Sequence, residues 1–318
     1  MIDVSALLSW YAHHGRSHLP WRQTRDPYRI VVSEFMLQQT QVDRVLPLYR
    51  AFLDAFPTVG ELAAADAADV VRAWRGLGYN SRATRLHALA RAVVAQHAGL
   101  IPRDRAALLA LPGIGPYTAA AIRAFAFDES DAALDTNVRR IVHRVVLGIE
   151  FPARASEQGL DAFASASVAD QSGHDWNSAM MDLGATICTA RAPKCLLCPL
   201  HERCVAAPLD AALLAVLAKK YAKKSAQSAL PFERTNRFVR GRIIDRLRDL
   251  PKSQMISLAQ LQHDLADIVA RDRLSEIPAI VNALVSDGLV SASERGIALK
   301  TNDDTHHVFI KNPFLFRD

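Results

Sequence analysis

Four cysteines constrain this chain more than any other feature. Cys188, Cys195, Cys198 and Cys204 lie within seventeen residues, spaced C-x6-C-x2-C-x5-C, and the 318 residues hold no others. Thiols this close leave little loop for a disulfide to close, whereas four thiolates in such a run can enclose a metal or a cluster. The expected product is a small cysteine-ligated domain that closes off what precedes it. Cysteine-only zinc sites usually show two C-x2-C pairs; here there is one, which leaves zinc the weaker of the two metal readings.

The rest of the chain sets the context. Half of the residues are hydrophobic, enough for a sizeable core, and the length suggests two domains. A net charge of +5 and a pI near 9.1 are compatible with a polyanionic partner without requiring one. The N-terminus MIDVSALLSWYAHHGRS lacks a basic segment followed by a long apolar run, and no stretch is long and apolar enough to span a bilayer. The expectation is a cytoplasmic protein with no membrane contact and reduced thiols.

The pattern is helical nearly throughout. Apolar residues recur three and four apart over Val4–His14, Tyr28–Phe56, Asp66–Leu77, Ala83–Ala98, Asp104–Leu111 and Tyr117–Phe127, with Gly and Pro punctuating between them. After Cys204 come a helix over Pro208–Ala218 and a basic run, Lys219 to Lys224, read as a linker. Helices over Phe238–Leu250, Leu258–Leu265 and Leu274–Asp287 precede two short segments, 288–291 and 296–299, able to pair as a hairpin. That order is winged-helix-like, a module used for DNA contact and also as a scaffold. The expected domains are residues 1–207, a helix and linker over 208–236, and a C-terminal module over 237–318.

Two segments carry chemistry. In Leu111–Phe127 a turn containing Gly113 and Gly115 opens a helix whose N-terminus offers free N–H groups to an anion. With the preceding helix it forms a helix–hairpin–helix unit, which holds DNA phosphate without reading sequence. Twenty residues after Gly115, Asp135 heads another apolar-periodic helix. Alone it reads as an N-cap.

Hairpin, aspartate and four cysteines, in that order, resemble the helix–hairpin–helix DNA glycosylases, in the branch that holds endonuclease III and the MutY adenine glycosylases. The resemblance spans about residues 5–205. It rests also on Leu19-Pro20-Trp21-Arg22, Val32-Ser33-Glu34-Phe35-Met36-Leu37-Gln38-Gln39-Thr40-Gln41-Val42, Gly76-Leu77-Gly78-Tyr79 and Met180-Met181-Asp182-Leu183-Gly184. It implies an all-α glycosylase core with a [4Fe–4S] cluster on Cys188, Cys195, Cys198 and Cys204, acting as a monomer on double-stranded DNA with a mismatched or damaged base and associated with the nucleoid when bound.

The resemblance also distributes roles. Breaking an N-glycosidic bond builds positive charge on the sugar and negative charge on the base, so a carboxylate and a proton donor are needed. Asp135 matches the carboxylate, Asn137 the residue that orients it, and Glu34 the acid. A bland alternative pairs Glu34 with Arg22 or Arg25. Trp21, Arg22, Leu37, Val42 and Ser178 match base-pocket positions. Gln39, Tyr79 and Asn80 match positions that meet the opened duplex, and Gly113 and Gly115 match the hairpin. Tyr117 stands where endonuclease III has its Schiff-base lysine, and a phenol forms no imine. The implied enzyme releases a base and does not cut the strand.

Three departures bear on which base. MutY has a second Tyr where Asn80 stands, and a Gln where Ser178 stands. The C-terminal module lacks the strand-rich pattern of the Nudix-like domain that MutY uses against 8-oxoguanine. Adenine opposite guanine or 8-oxoguanine is the expected target. Thymine or uracil, or another damaged base, opposite guanine is the alternative, and a non-catalytic DNA-binding protein is the second alternative.

Overall fold

The computed structural model describes residues 2–151, 156–169, 171–221, 231–252 and 254–302. In chain order the helices are α1 (Val4–His14), α2 (Pro27–Leu37), α3 (Val42–Ala55), α4 (Val59–Ala64), α5 (Ala67–Ala73), α6 (Ser81–His97), α7 (Arg105–Ala110) and α8 (Pro116–Phe127). Then come α9 (Thr136–Val142), α10 (Glu157–Val168), α11 (Gly173–Thr186), α12 (Ala211–Tyr221), α13 (Asn236–Arg248), α14 (Leu258–Asp264), α15 (Arg271–Leu274) and α16 (Ile277–Ser286). An antiparallel hairpin, β1 (Val290–Ser293) with β2 (Gly296–Leu299), completes the described elements.

The helices start where short polar side chains can take up free amides. Asp3, Thr58, Asp66, Asp104, Ser172, Thr235 and Ser257 all accept from backbone N–H groups at helix N-termini. The stretch expected as one helix over Tyr28–Phe56 is two, interrupted at 38–41. The break has a cause in α6. The Arg82 guanidinium is buried and donates to the carbonyls of Phe35, Met36 and Gln38, which a continuous helix would consume, while Gln39 turns to a φ of 55°. The basic run expected as linker is helical through Lys219, Lys220 and Tyr221; its remainder lies outside the described residues. Pro208 precedes α12 rather than standing in its first turn.

Contacts divide the chain into two compact units. The first holds residues 2–34 and 101–221. Its core gathers one face each of α1, α9, α10 and α11, with Leu7, Ile141, Val142, Trp176, Met180 and Leu183 buried together. The α7–α8 hairpin packs by α8 against α11.

The second unit holds residues 35–100 and 231–302. Phe52 meets Phe56 and Trp74 edge to face, at ring separations of 5.0 and 5.7 Å. In the C-terminal segment α13, α14, α16 and the hairpin bury Val239, Ile243, Leu261, Val281, Leu284, Val290 and Ile297. Ile256 bridges to Ile297 and adds a second short pairing beside the hairpin. Division by contacts differs from division by composition: α13 and β2 pack against α5, so these helices group with residues 35–100.

Candidate active site

Four of the expected residues converge in the first unit. Asp135 caps α9 with extended backbone, and its Oδ1 accepts from the Val138 amide at 2.7 Å. The cap uses only one oxygen. Asn137 Nδ2 donates to the other, Oδ2, at 2.9 Å. Both oxygens are therefore acceptors, the arrangement of a carboxylate held in a fixed orientation.

Asn137 is itself held. Its Oδ1 accepts from Arg140 Nη2 at 2.8 Å, and Arg140 also donates to the carbonyls of Gly184 (2.8 Å) and Cys188 (2.9 Å). A chain of hydrogen bonds thus runs from the backbone of the first cysteine to Asp135. Close approach of α11 makes room for it. A Cβ on Gly184 would stand 2.6 Å from the Asn137 Cβ, so this site takes only glycine without displacement.

Glu34 lies on α2 and is 6% exposed. Burial pushes its carboxyl from an ordinary 4.5 up to about 7; the Tyr117 hydroxyl that donates to it and the charge of Arg22 hold it from rising further, while Asp135 adds to the rise. Burial and the neighbouring Glu34 push the Tyr117 phenol well above its usual range, so it is a hydrogen-bond donor here. Tyr117 stands in the first turn of α8, directly after the hairpin turn in which Gly113 adopts a φ of 79°.

The bland reading of Glu34 fails on geometry. Among the described residues it forms no ion pair. Arg22 is buried and lies 3.6 Å from Asp182, which also accepts from the backbone and side chain of Arg16, and its guanidinium sits over the Phe125 ring. Arg25 donates to the Phe125 carbonyl. Arg22 acts on Glu34 through charge, and its Nη1 is buried without a hydrogen-bond partner among the described residues. Trp21 is buried beside it in sequence.

Ser178 is fully buried on α11, and its Oγ finds no partner among the described residues. Its neighbour Asn177 does more. The Asn177 amide accepts from the Ala133 N–H at 2.7 Å and donates to the carbonyls of Asp131 (2.8 Å) and Gly173 (2.7 Å). It fixes the extended residues that lead to Asp135. Asn177 and Arg140 are the two residues that sequence reasoning left unassigned.

The four cysteines line one largely apolar cavity with Ile141, Val145 and Leu200. Arg144 Nη1 donates to Cys188 Sγ at 3.5 Å, and the Leu209 N–H to Cys195 Sγ at 3.4 Å. Burial lifts the Cys198 thiol to about 11 and raises that of Cys204. Among the described residues no three His, Cys, Asp or Glu side chains close on a single ion. A four-iron cluster spreads its ligands more widely than one ion does, and soft thiolates with N–H donors to sulfur are its usual surroundings.

The other expected residues lie in the second unit. Leu37 ends α2, Gln39 is exposed in the break, and Val42 begins α3. Arg82 also donates to the carbonyls of Leu77 and Gly78, so one guanidinium ties the Gln39 loop to the Gly76–Tyr79 turn. In that turn Gly76, Gly78 and Tyr79 all have positive φ, and the Tyr79 ring is partly exposed. Asn80 does not project freely: its Oδ1 accepts from Arg248 Nη2 at 2.9 Å.

Residues 32–161 match the HhH-GPD superfamily of base excision DNA repair proteins. The chain is 42% identical over 298 residues to the adenine DNA glycosylase of Mycolicibacterium smegmatis, covering 93% of this chain and 94% of that one. It is 37% identical to the adenine DNA glycosylase of Mycobacterium tuberculosis over 305 residues, covering 93% and 92%. Both alignments run into the C-terminal helices, so that module is shared with these relatives. A solved thermostable thymine-DNA glycosylase superposes with a TM-score of 0.59 at 33% identity, covering 63% of this chain and 93% of that one.

Proposed function

This chain belongs to the HhH-GPD superfamily and, within it, to the adenine DNA glycosylases, and from that membership and the geometry of its site we propose that it hydrolyses the N-glycosidic bond of adenine mispaired with guanine or 8-oxoguanine. The observation that carries the proposal is a pair of carboxyl groups in contrasting surroundings. Glu34 is buried, with a carboxyl pushed up to about 7, while both Asp135 oxygens are engaged as acceptors. A buried carboxyl beside a second one oriented by two hydrogen bonds suits the acid and the carboxylate that base release needs.

The steps follow from the groups in place. Glu34 in its protonated form gives its proton to a ring nitrogen of the departing base, which leaves neutral. The sugar C1′ gains positive charge, and Asp135, oriented by Asn137, stabilises it. Water then adds to C1′ and gives its proton to the Glu34 carboxylate left by the first step, leaving an abasic site and the acid restored. Tyr117 cannot form the imine that strand cutting requires; it holds Glu34 by donating to it. Gln39 and Tyr79 are placed on exposed turns suited to filling the stack left by a flipped base.

Cys188, Cys195, Cys198 and Cys204 would hold the [4Fe–4S] cluster. When bound it supplies four Fe–S bonds that tie residues 188 to 204 together, and the reaction is not routed through it. The C-terminal helices and hairpin are read as a winged-helix-like module. The protein is expected to act as a monomer in the cytoplasm on duplex DNA.

One observation favours a second reading. The thymine-DNA glycosylase of known structure is 33% identical, and Asn80 and Ser178 depart from the adenine pattern. Thymine or uracil opposite guanine is the substrate under that reading. The test of reaction type is common to both. A labelled mispaired duplex is incubated in single turnover and analysed with and without hot alkali. Breaks only after alkali support base release alone; breaks without alkali contradict it.

A further inference from the structure

A cleft of about 820 Å³ lies within the second unit, between the Gly76–Ser81 turn and α13. Six arginines line it, namely Arg44, Arg75, Arg237, Arg240, Arg242 and Arg248, against a single lining carboxylate, Asp245. Four of the six are paired with three carboxylates. Arg75 pairs with Asp249 at 2.5 Å, Arg240 with Asp287, and Arg242 and Arg248 with Asp245 at 2.7 and 2.8 Å. Arg44 and Arg237 have no carboxylate among the described residues, and both are exposed.

Arg237 is nevertheless held in place. Its guanidinium lies 3.8 Å from the centre of the Tyr79 ring and 5.7 Å from that of Phe232, and its Nη1 donates to the Tyr79 hydroxyl at 2.6 Å. Aromatic faces and a phenol oxygen orient the fork but do not neutralise it. A positioned, uncompensated guanidinium fork matches the oxygens of a phosphate. Tyr79, Phe232 and Phe238 line the same cleft, which suits a nucleic-acid strand with its sugars and bases better than an inorganic anion.

We propose that this cleft is a DNA-backbone site, in which Arg237 of the C-terminal module and Arg44 of α3 each take a phosphodiester of the duplex. The site would make the C-terminal helices part of the DNA-binding surface through α13 rather than through the hairpin. The inference rests on the reading of this chain as a protein that acts on duplex DNA.

Salt dependence of binding tests it, because each lost phosphate contact lowers the steepness of log K against log[salt] by about 0.9. Full-length wild type, Arg237→Ala, Arg44→Ala, Arg237→Lys and Arg295→Ala are compared by fluorescence anisotropy on a fully paired duplex. Arg295 lies in the exposed turn between β1 and β2, away from the cleft. The expected result is a slope lowered by about 0.9 in each of Arg237→Ala and Arg44→Ala, retained in Arg237→Lys, and unchanged in Arg295→Ala. Unchanged slopes in both cleft variants, or a loss confined to Arg295→Ala, would overturn the proposal. A paired duplex involves no base release, so the result is independent of whether the protein is a glycosylase; absence of base release by wild type would sink that other reading alone.

Discussion

Asn137 Nδ2 donates to Asp135 Oδ2 at 2.9 Å, while the Val138 amide occupies the other oxygen. Side chain and helix end together fix one carboxylate. Asp135→Asn preserves the cap, since an amide oxygen also accepts from Val138, but removes the negative charge. Base release in single turnover is expected to fall by roughly 10²–10³, with DNA affinity retained. Release at the wild-type rate would reduce Asp135 to a cap.

Glu34 predicts a pH profile. The acid works protonated, so base release at saturating DNA should decline as pH rises through about 7, and Glu34→Gln should abolish that limb along with most activity. Stability follows the same sign. The folded carboxyl holds its proton up to about 7, whereas the unfolded one releases it near 4.5, so the native state binds more protons in that window. Stability contributed by this group is therefore present below about 4.5 and is lost as pH rises through about 7. Melting of Glu34→Gln against wild type from pH 5 to 8 should show the variant gaining relative stability at the upper end. A constant difference would count against the assignment.

Gly184 allows Asn137 its place. Gly184→Ala forces a Cβ to within 2.6 Å of the Asn137 Cβ, which costs about 1–3 kcal/mol of stability and displaces the residue that orients Asp135. Slower base release with a lowered melting point is the expected pairing. An unaffected rate would show that Asp135 keeps its orientation without Asn137.

Much of this was legible in the sequence, and the reasons are local. Asp135 and Gly113 sit at a helix cap and a tight turn, where one or two residues decide the conformation. Helices α1, α8 and the C-terminal hairpin lie within one or two residues of where periodicity puts them. The break after Leu37 was not legible, because Gln38-Gln39-Thr40-Gln41 holds no Gly or Pro and the apolar spacing resumes at Val42. The cause is Arg82, more than forty residues away, whose six donated bonds are set by tertiary packing. Arg140 and Asn177 were missed for the same reason: a guanidinium or amide that satisfies distant carbonyls has no periodic signature. The grouping of α13 to α16 with residues 35–100 likewise depends on contacts such as Arg248 to the Val71 carbonyl.

The cysteines predict a brown protein containing about four iron atoms per chain. Cys198→Ser is expected to lose the iron and, by freeing residues 188 to 204, to loosen the Cys188 carbonyl that holds Arg140. Iron analysis and visible absorbance decide the matter. Colourless, zinc-loaded protein with full activity would reject the cluster.

The most direct measurement is a panel of four duplexes carrying a single A:G, A:8-oxoguanine, T:G or U:G pair, each incubated with the purified full-length protein, treated with hot alkali and scored for strand breaks. Breaks at the adenine of the first two duplexes are the predicted result. Cleavage confined to T:G or U:G would contradict adenine as the target, and no cleavage of any duplex would contradict the enzyme itself.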